Sequence, residues 1–168
     1  CDDVETIRIG ASLDYKLHGV LNRITDRHGF YSVSATKRFL VWVRQYDPDV
    51  VWLHNIHGYY LNLELLFSYL KESGKTVRWT LHDCWSLTGQ CTYFTMAGCD
   101  KWKTGCHHCS QTNRYPDTYF DHSKAMWRNK KKWFTGVKNM TIVTPSQWLG
   151  ELVKQSYLKE YPVQVIPN

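Results

Sequence analysis

No stretch of the 168-residue chain approaches the roughly 20 consecutive apolar residues of a bilayer-spanning helix. Its opening, CDDVET, is too polar to read as a secretory signal. The visible strands carry no G-x-G-x-x-G and no G-x-x-x-x-G-K-S/T, so neither a dinucleotide fingerprint nor a P-loop is in view. Internal repeats and low-complexity tracts are missing too. So is an initiator Met, and the closing VQVIPN reads as a strand reached just before the end. Both termini are expected to lie within a longer protein. Acidic residues are the scarcer charge. Fifteen Asp and Glu against 21 Lys and Arg leave a net charge of +6, which favours an anionic partner without separating nucleic acid, membrane surface and phosphorylated ligand.

What is plentiful is aromatic. Eight Trp and eleven Tyr exceed ordinary usage, while 43% hydrophobic and 21% charged residues are those of a globular domain. The plain reading of the rings is a core rich in them. The length fits one domain over residues 1–168, large enough to bury a core without staples.

Strand and helix signals alternate. ETIRIG reads as a strand, and residues 13–33 are weakly patterned. From Ser34 to Tyr46, apolar Ala35, Phe39, Trp42, Val43 and Tyr46 recur at helical spacing behind a capping Ser. DPDVVWLHN is a turn and then a short apolar run, as in a buried parallel strand. A helix follows from about Asn62, with Leu65, Leu66, Tyr69 and Leu70 on one face and Gly74 as its stop. TVRWTLHD and MTIVTPS repeat the strand signal, and Ser146 caps a helix bearing Trp148, Leu149, Leu152 and Val153. The pattern predicts an α/β fold: a parallel sheet with helices on both faces and a Cys-rich loop insertion over about 84–112. Ligands of such sheets sit outside the carboxyl ends of the strands. The residues there are His54-Asn55, His82-Asp83, Ser146 and Asn168.

Five of the six cysteines fall between Cys84 and Cys109. From Cys91 the spacing is C-x₇-C-x₆-C-x₂-C, through Cys99, Cys106 and Cys109. The closing C-x-x-C suits two ligands of one tetrahedral ion, which the other two cysteines complete, so a structural zinc is expected. Disulfides and unliganded buried thiols are the alternatives; nothing in the sequence signals the oxidising compartment that disulfides need. Attachment of a c-type haem fails because Ser110, not His, follows Cys109. His107 and His108 are alternative ligands or loop residues, and Cys84 reads as a small buried hydrophobe.

Together PDVVWLHNIHGYYLNLELL, VRWTLHDCWSLTGQCTYF, GCDKWKTGCHHC, TIVTPSQWL and VQVIPN resemble the N-terminal half of a bacterial family 4 glycosyltransferase, of the capsule, exopolysaccharide and colanic-acid type. The resemblance runs from about Pro48 to Asn168. It implies GT-B architecture, in which a Rossmann-like N-terminal domain receives the acceptor. A C-terminal domain, absent from this chain, would hold the nucleotide-sugar on a Glu-rich motif. It also implies transfer with retention, to a saccharide or lipid-linked acceptor of cell-surface polysaccharide assembly. This part alone is expected to be inactive. His82 would stand near the reacting sugar, with Asp83 as a base or as the anchor of an Asx-type turn. His54, Asn55 and Gly58 would touch the acceptor. Ser146 is first a helix cap, whose free amides suit an anion. In SKAMWRNKKKWF, Arg128, Lys130, Lys131 and Lys132 alternate with Met126, Trp127, Trp133 and Phe134. Such a surface fits a cytoplasmic protein docked on anionic lipid, or is simply a solvated face. The competing functional reading is a zinc-stabilised nucleic-acid- or protein-binding module; the strand-helix regularity argues against it, and no nucleic acid is expected.

Overall fold

The structure, a computed structural model, describes residues 5–167. Asn168 therefore lies outside the described residues. In chain order the elements are α1 (Ser12–Thr25), α2 (Val33–Tyr46), β1 (Val50–Leu53), α3 (Leu63–Ser73), β2 (Thr76–Thr80), α4 (Ser123–Phe134), β3 (Met140–Thr144), α5 (Gln147–Gln155) and β4 (Val163–Val165). The four strands form one sheet in the order β1-β2-β3-β4, every pair parallel. This is the expected Rossmann-like α/β arrangement. Among the described residues no helix is long and apolar enough to cross a membrane.

Strand periodicity sends alternate side chains to opposite faces. One face carries Leu53, Val77, Trp79, Met140 and Ile142, all buried. Phe67 of α3 and Phe134 of α4 close on the Trp79 ring at 5.3 and 4.9 Å between centroids. On the same side α5 comes close through Gly150, where a Cβ would lie 3.3 Å from Thr144 Oγ1 and 3.4 Å from Val163. The other face carries Val50 and Trp52, about half exposed. It supplies cover of its own, since Trp52 Nε1 donates to Thr80 Oγ1 at 2.9 Å and Arg78 reaches Gln164 at 3.2 Å. The placing of helices is thus narrower than expected: α3, α4 and α5 pack on the Trp79 face.

Local signals mostly hold. Asn62 caps α3, its Oδ1 accepting from Leu65 N at 3.0 Å, and Gly74 ends the helix in the left-handed region at φ 66°. Elsewhere the sequence misleads. Residues 5–9 form no strand, although Ile9 packs against the core. The weakly patterned segment contains a helix, α1, that turns Leu13, Leu17, Val20 and Ile24 outward and buries His18 and Asn22. Ser34 is not a cap: it lies inside α2, and Ser32 precedes the helix with its Oγ accepting from His18 instead. The basic helix differs most. Met126, Trp127, Trp133 and Phe134 all point inward, and Lys130 is 0% exposed. Only Lys124, Arg128, Lys131 and Lys132 of its cations face solvent, so the expected ring-bearing cationic surface is absent there.

Candidate functional site

The register aligns Leu53 with Trp79 and Thr80 with Val143, so β1, β2 and β3 end side by side. His54 and His82 leave adjacent strand ends on the same side. His54 Nδ1 and His82 Nε2 are 3.3 Å apart, and the rings stack at 5.6 Å and 25°. Trp52 extends this column beneath His54 at 5.8 Å. Both histidines are exposed.

Asp83 turns the opposite way. Its Oδ1 accepts from Trp85 N at 2.8 Å, the Asx-type turn considered above, and its Oδ2 stands 3.1 Å from His57 Nε2. Both side chains are largely shielded, at 16% and 15% exposure, where a charge-assisted hydrogen bond is stronger than at an open surface. Tyr115 holds the other side of His57, donating to its carbonyl at 2.7 Å with the hydroxyl 3.4 Å from Nδ1. The Trp85 ring supports His57 at 5.0 Å.

Under this pair lies a polar interior. His28 is stacked on Tyr59 at 4.6 Å, and burial drives its pKa well below the usual imidazole range, so it is neutral. Burial likewise brings His18 down to about 4. Gly29 N donates to His18 Nε2 at 3.3 Å, which leaves Nδ1 to donate to Ser32 Oγ at 2.8 Å. Asp26 is pushed up to about 7, first by burial, against the His122 amide that donates to it. Lys130 is pulled down to about 7 by burial, opposed by Cys106, Cys91, Asp26 and Asp83. Its Nζ donates to Trp85 O at 2.9 Å and Thr88 O at 3.1 Å and lies 3.4 Å over the Trp85 ring.

The remaining sequence-predicted residues fall nearby. Asn55 is exposed, takes a left-handed φ of 30°, and its carbonyl receives Tyr60 Oη at 3.1 Å. Gly58 leaves no room for a Cβ, which would sit 2.8 Å from the Tyr60 ring. Ser146 is a cap, its Oγ accepting from Leu149 N at 3.3 Å. Sequence reasoning missed His57, Tyr115 and His28. HNIHGYY displays His57 three residues after His54, but a rule that looks only at strand ends passes over it.

Residues 81–122 connect β2 to α4 through short 3₁₀ turns at Trp85–Leu87, Phe94–Ala97 and Lys101–Lys103. Cys91, Cys99, Cys106 and Cys109 all line one cavity of about 30 Å³, walled also by His107 and His108. Cys91 hydrogen-bonds to Cys109; this bond pulls the Cys109 thiol down to about 7 and, with burial, pushes Cys91 up. Cys106 is pushed up to about 11 by burial, although Gly89 N donates to its sulfur at 3.2 Å. The five described cysteines are free. Among the described residues no three His, Cys, Asp or Glu side chains already stand at ligand spacing. Cys84 is fully buried, as read from the sequence, and burial pushes it up to about 12.

No family model matches the chain, and no solved structure matches it. A curated protein does. A protein of Escherichia coli (strain K12) named as a colanic acid biosynthesis glycosyl transferase, WcaC, is 31% identical over 144 residues. The alignment covers 82% of this chain and 35% of that protein, so the chain spans about a third of its relative's length. The resemblance to colanic-acid type sugar transferases, drawn from the HNIHGYY, TLHD, cysteine, TIVTPSQWL and VQVIPN segments together, is borne out in this relative.

Proposed function

We propose that the chain is the acceptor-side part of a glycosyltransferase of GT-B type, which moves a sugar from a nucleotide-sugar to a saccharide or lipid-linked acceptor in cell-surface polysaccharide assembly. The observation that carries this reading is the His54–His82 pair at the carboxyl edge of a parallel sheet, in a chain homologous to a named glycosyl transferase.

The roles follow from the hydrogen bonds. His82 spends Nε2 on His54 and presents the other ring nitrogen at an exposed edge, where it suits a sugar hydroxyl or a donor phosphate. His54 fixes the ring plane. Asp83, engaged through both oxygens, is better suited to hold His57 and the following loop than to act as a free base. Asn55 and Gly58 border the same edge, and the amides behind Ser146 offer a place for an anionic group. The nucleotide-sugar would be held mainly by a second domain. A cytoplasmic site at an anionic membrane face is consistent with the exposed Lys124, Arg128, Lys131 and Lys132. The nucleic-acid alternative loses its aromatic face, because the rings of α4 are buried.

The test uses the full-length protein that contains this chain. His82→Ala, compared with wild type at equal folded concentration, is expected to lower sugar transfer by about 100-fold or more. Wild-type turnover in that variant overturns the assignment of His82.

A further inference from the structure

The geometry points to a single zinc ion held by the thiolates of Cys91, Cys99, Cys106 and Cys109, with the ammonium of Lys130 as its buried counter-charge. The site does not depend on the glycosyltransferase reading.

Two independent observations lead there. The first is convergence: four cysteines separated along the sequence line one cavity of about 30 Å³, a volume of single-ion or single-water size. Four thiolates are the donor set of a closed, tetrahedral structural zinc site. Among the described residues no three of these side chains yet stand at ligand spacing, so binding would draw the four sulfurs together around the ion. Binding would release the thiol protons to solvent and put the ion in their place.

The second observation is a peptide group that lies between a cation and a sulfur. The carbonyl of Thr88 accepts from Lys130 Nζ at 3.1 Å. The N–H of the same peptide, on Gly89, donates to Cys106 Sγ at 3.2 Å. Its dipole therefore runs from ammonium to sulfur in the sense that favours negative charge on the sulfur. Thr88 also ties this peptide to the cluster by donating from Oγ1 to Cys91 O at 2.6 Å. Only glycine permits the arrangement. A Cβ at residue 89 would fall 2.1 Å from Ser123 O and 2.9 Å from Cys106 Cβ.

Lys130 completes the argument. It is fully buried, yet its direct partners are two neutral carbonyls and the face of Trp85. A buried ammonium is costly unless an anion compensates it. A zinc tetrathiolate carries two net negative charges, and the Thr88–Gly89 peptide connects it to this ammonium. Outer-shell partners of this kind change metal affinity by about 10–100-fold.

The experiment is done on the full-length protein purified under reducing conditions. Metal analysis is expected to find one equivalent of zinc. Exchange with cobalt should give the intense thiolate-to-metal absorption and the visible bands of tetrahedral cobalt. In a chelator competition, Lys130→Met should bind zinc at least about tenfold more weakly. Wild-type protein that is folded, holds less than about a tenth of an equivalent and gives no cobalt–thiolate band overturns the metal site. Cys91 and Cys109 recovered as a disulfide from non-reducing mass analysis overturn it in favour of a redox pair. Zinc bound with unchanged affinity in Lys130→Met overturns the counter-charge. Should that variant fail to fold, Lys130→Gln removes the charge while keeping a donor for the two carbonyls, and unchanged zinc affinity there overturns the counter-charge.

Discussion

Asp83 Oδ2 stands 3.1 Å from His57 Nε2, while the residue before it, His82, is paired with His54 at 3.3 Å. Two consecutive residues at one strand end thus serve two separate clusters, one sheltered and one open. Both residues lie in the bend that follows β2, and it is this turn of the backbone that sends their side chains to different clusters.

This division makes the two carboxylate roles separable. Asp83→Asn keeps an oxygen to accept from Trp85 N and replaces the carboxylate facing His57 with an amide. Stability is expected to fall by no more than about 1–2 kcal/mol, while sugar transfer by the full-length protein drops about tenfold and its pH profile shifts. Urea unfolding and transfer rates across pH distinguish the two. A variant with wild-type transfer and profile would leave Asp83 as a turn residue alone.

Acid should weaken the fold through its buried imidazoles. His18 has a folded pKa of about 4 against an ordinary 6.5, and that of His28 is also depressed by burial. Depressed imidazoles give stability that is present above 6.5 and lost as pH falls through the folded value. Asp26 acts oppositely: raised to about 7 from 3.8, it stabilises most below 3.8 and loses that contribution as pH rises through 7. Two histidines outweigh one aspartate, so unfolding free energy should decrease between pH 6.5 and 4. His18→Phe should flatten this slope and Asp26→Asn should steepen it, as read from chemical denaturation at each pH.

The core around Trp79 supplies a control for folding. Phe134 is 0% exposed and lies 4.6 Å from the Phe67 ring and 4.9 Å from Trp79. Phe134→Ala is expected to cost about 3–5 kcal/mol, lowering the denaturation midpoint without a specific effect on zinc content per folded molecule.

Lys131 and Lys132, by contrast, are exposed on α4, and surface charges of this kind contribute little to stability. Replacing both with Gln should leave the denaturation midpoint nearly unchanged. Binding to vesicles containing anionic lipid should weaken and lose salt dependence if this surface docks there; co-sedimentation measures it.

The sheet was legible because continuous apolar runs ending in polar residues have few other uses in a domain of this size. VVWL, TVRWT and MTIVT all form strands. The His54 and His82 edge was legible for the same reason. Helix α1 was not, because its apolar stripe faces outward while His18 and Asn22 go in, which inverts the usual pattern. Lys130 was misplaced by its chemistry, although its position gave it away. Met126, Lys130 and Phe134 are spaced by four residues and share one buried helical face. His57 and Tyr115 are brought together by tertiary contacts between distant loops, which no local pattern encodes.

The strand order has a consequence for how the chain acquires its structure. Each strand of β1-β2-β3-β4 pairs with the one made just before it, so the sheet is able to grow in the direction of synthesis without waiting for distant segments. The connections β1 to β2 and β3 to β4 are short. The connection from β2 to β3 spans residues 81–139 and contains the cysteine segment and α4. Its closure carries the largest entropic penalty of the three, and the contacts that offset it, Phe134 on Trp79 and Lys130 under Trp85, arise only after α4 has been made. A nascent chain halted before α4 would hold β1, α3 and β2 with Phe67 on Trp79 but without the cover that Phe134 gives that ring, and it is at this length that a chaperone would find the most to bind.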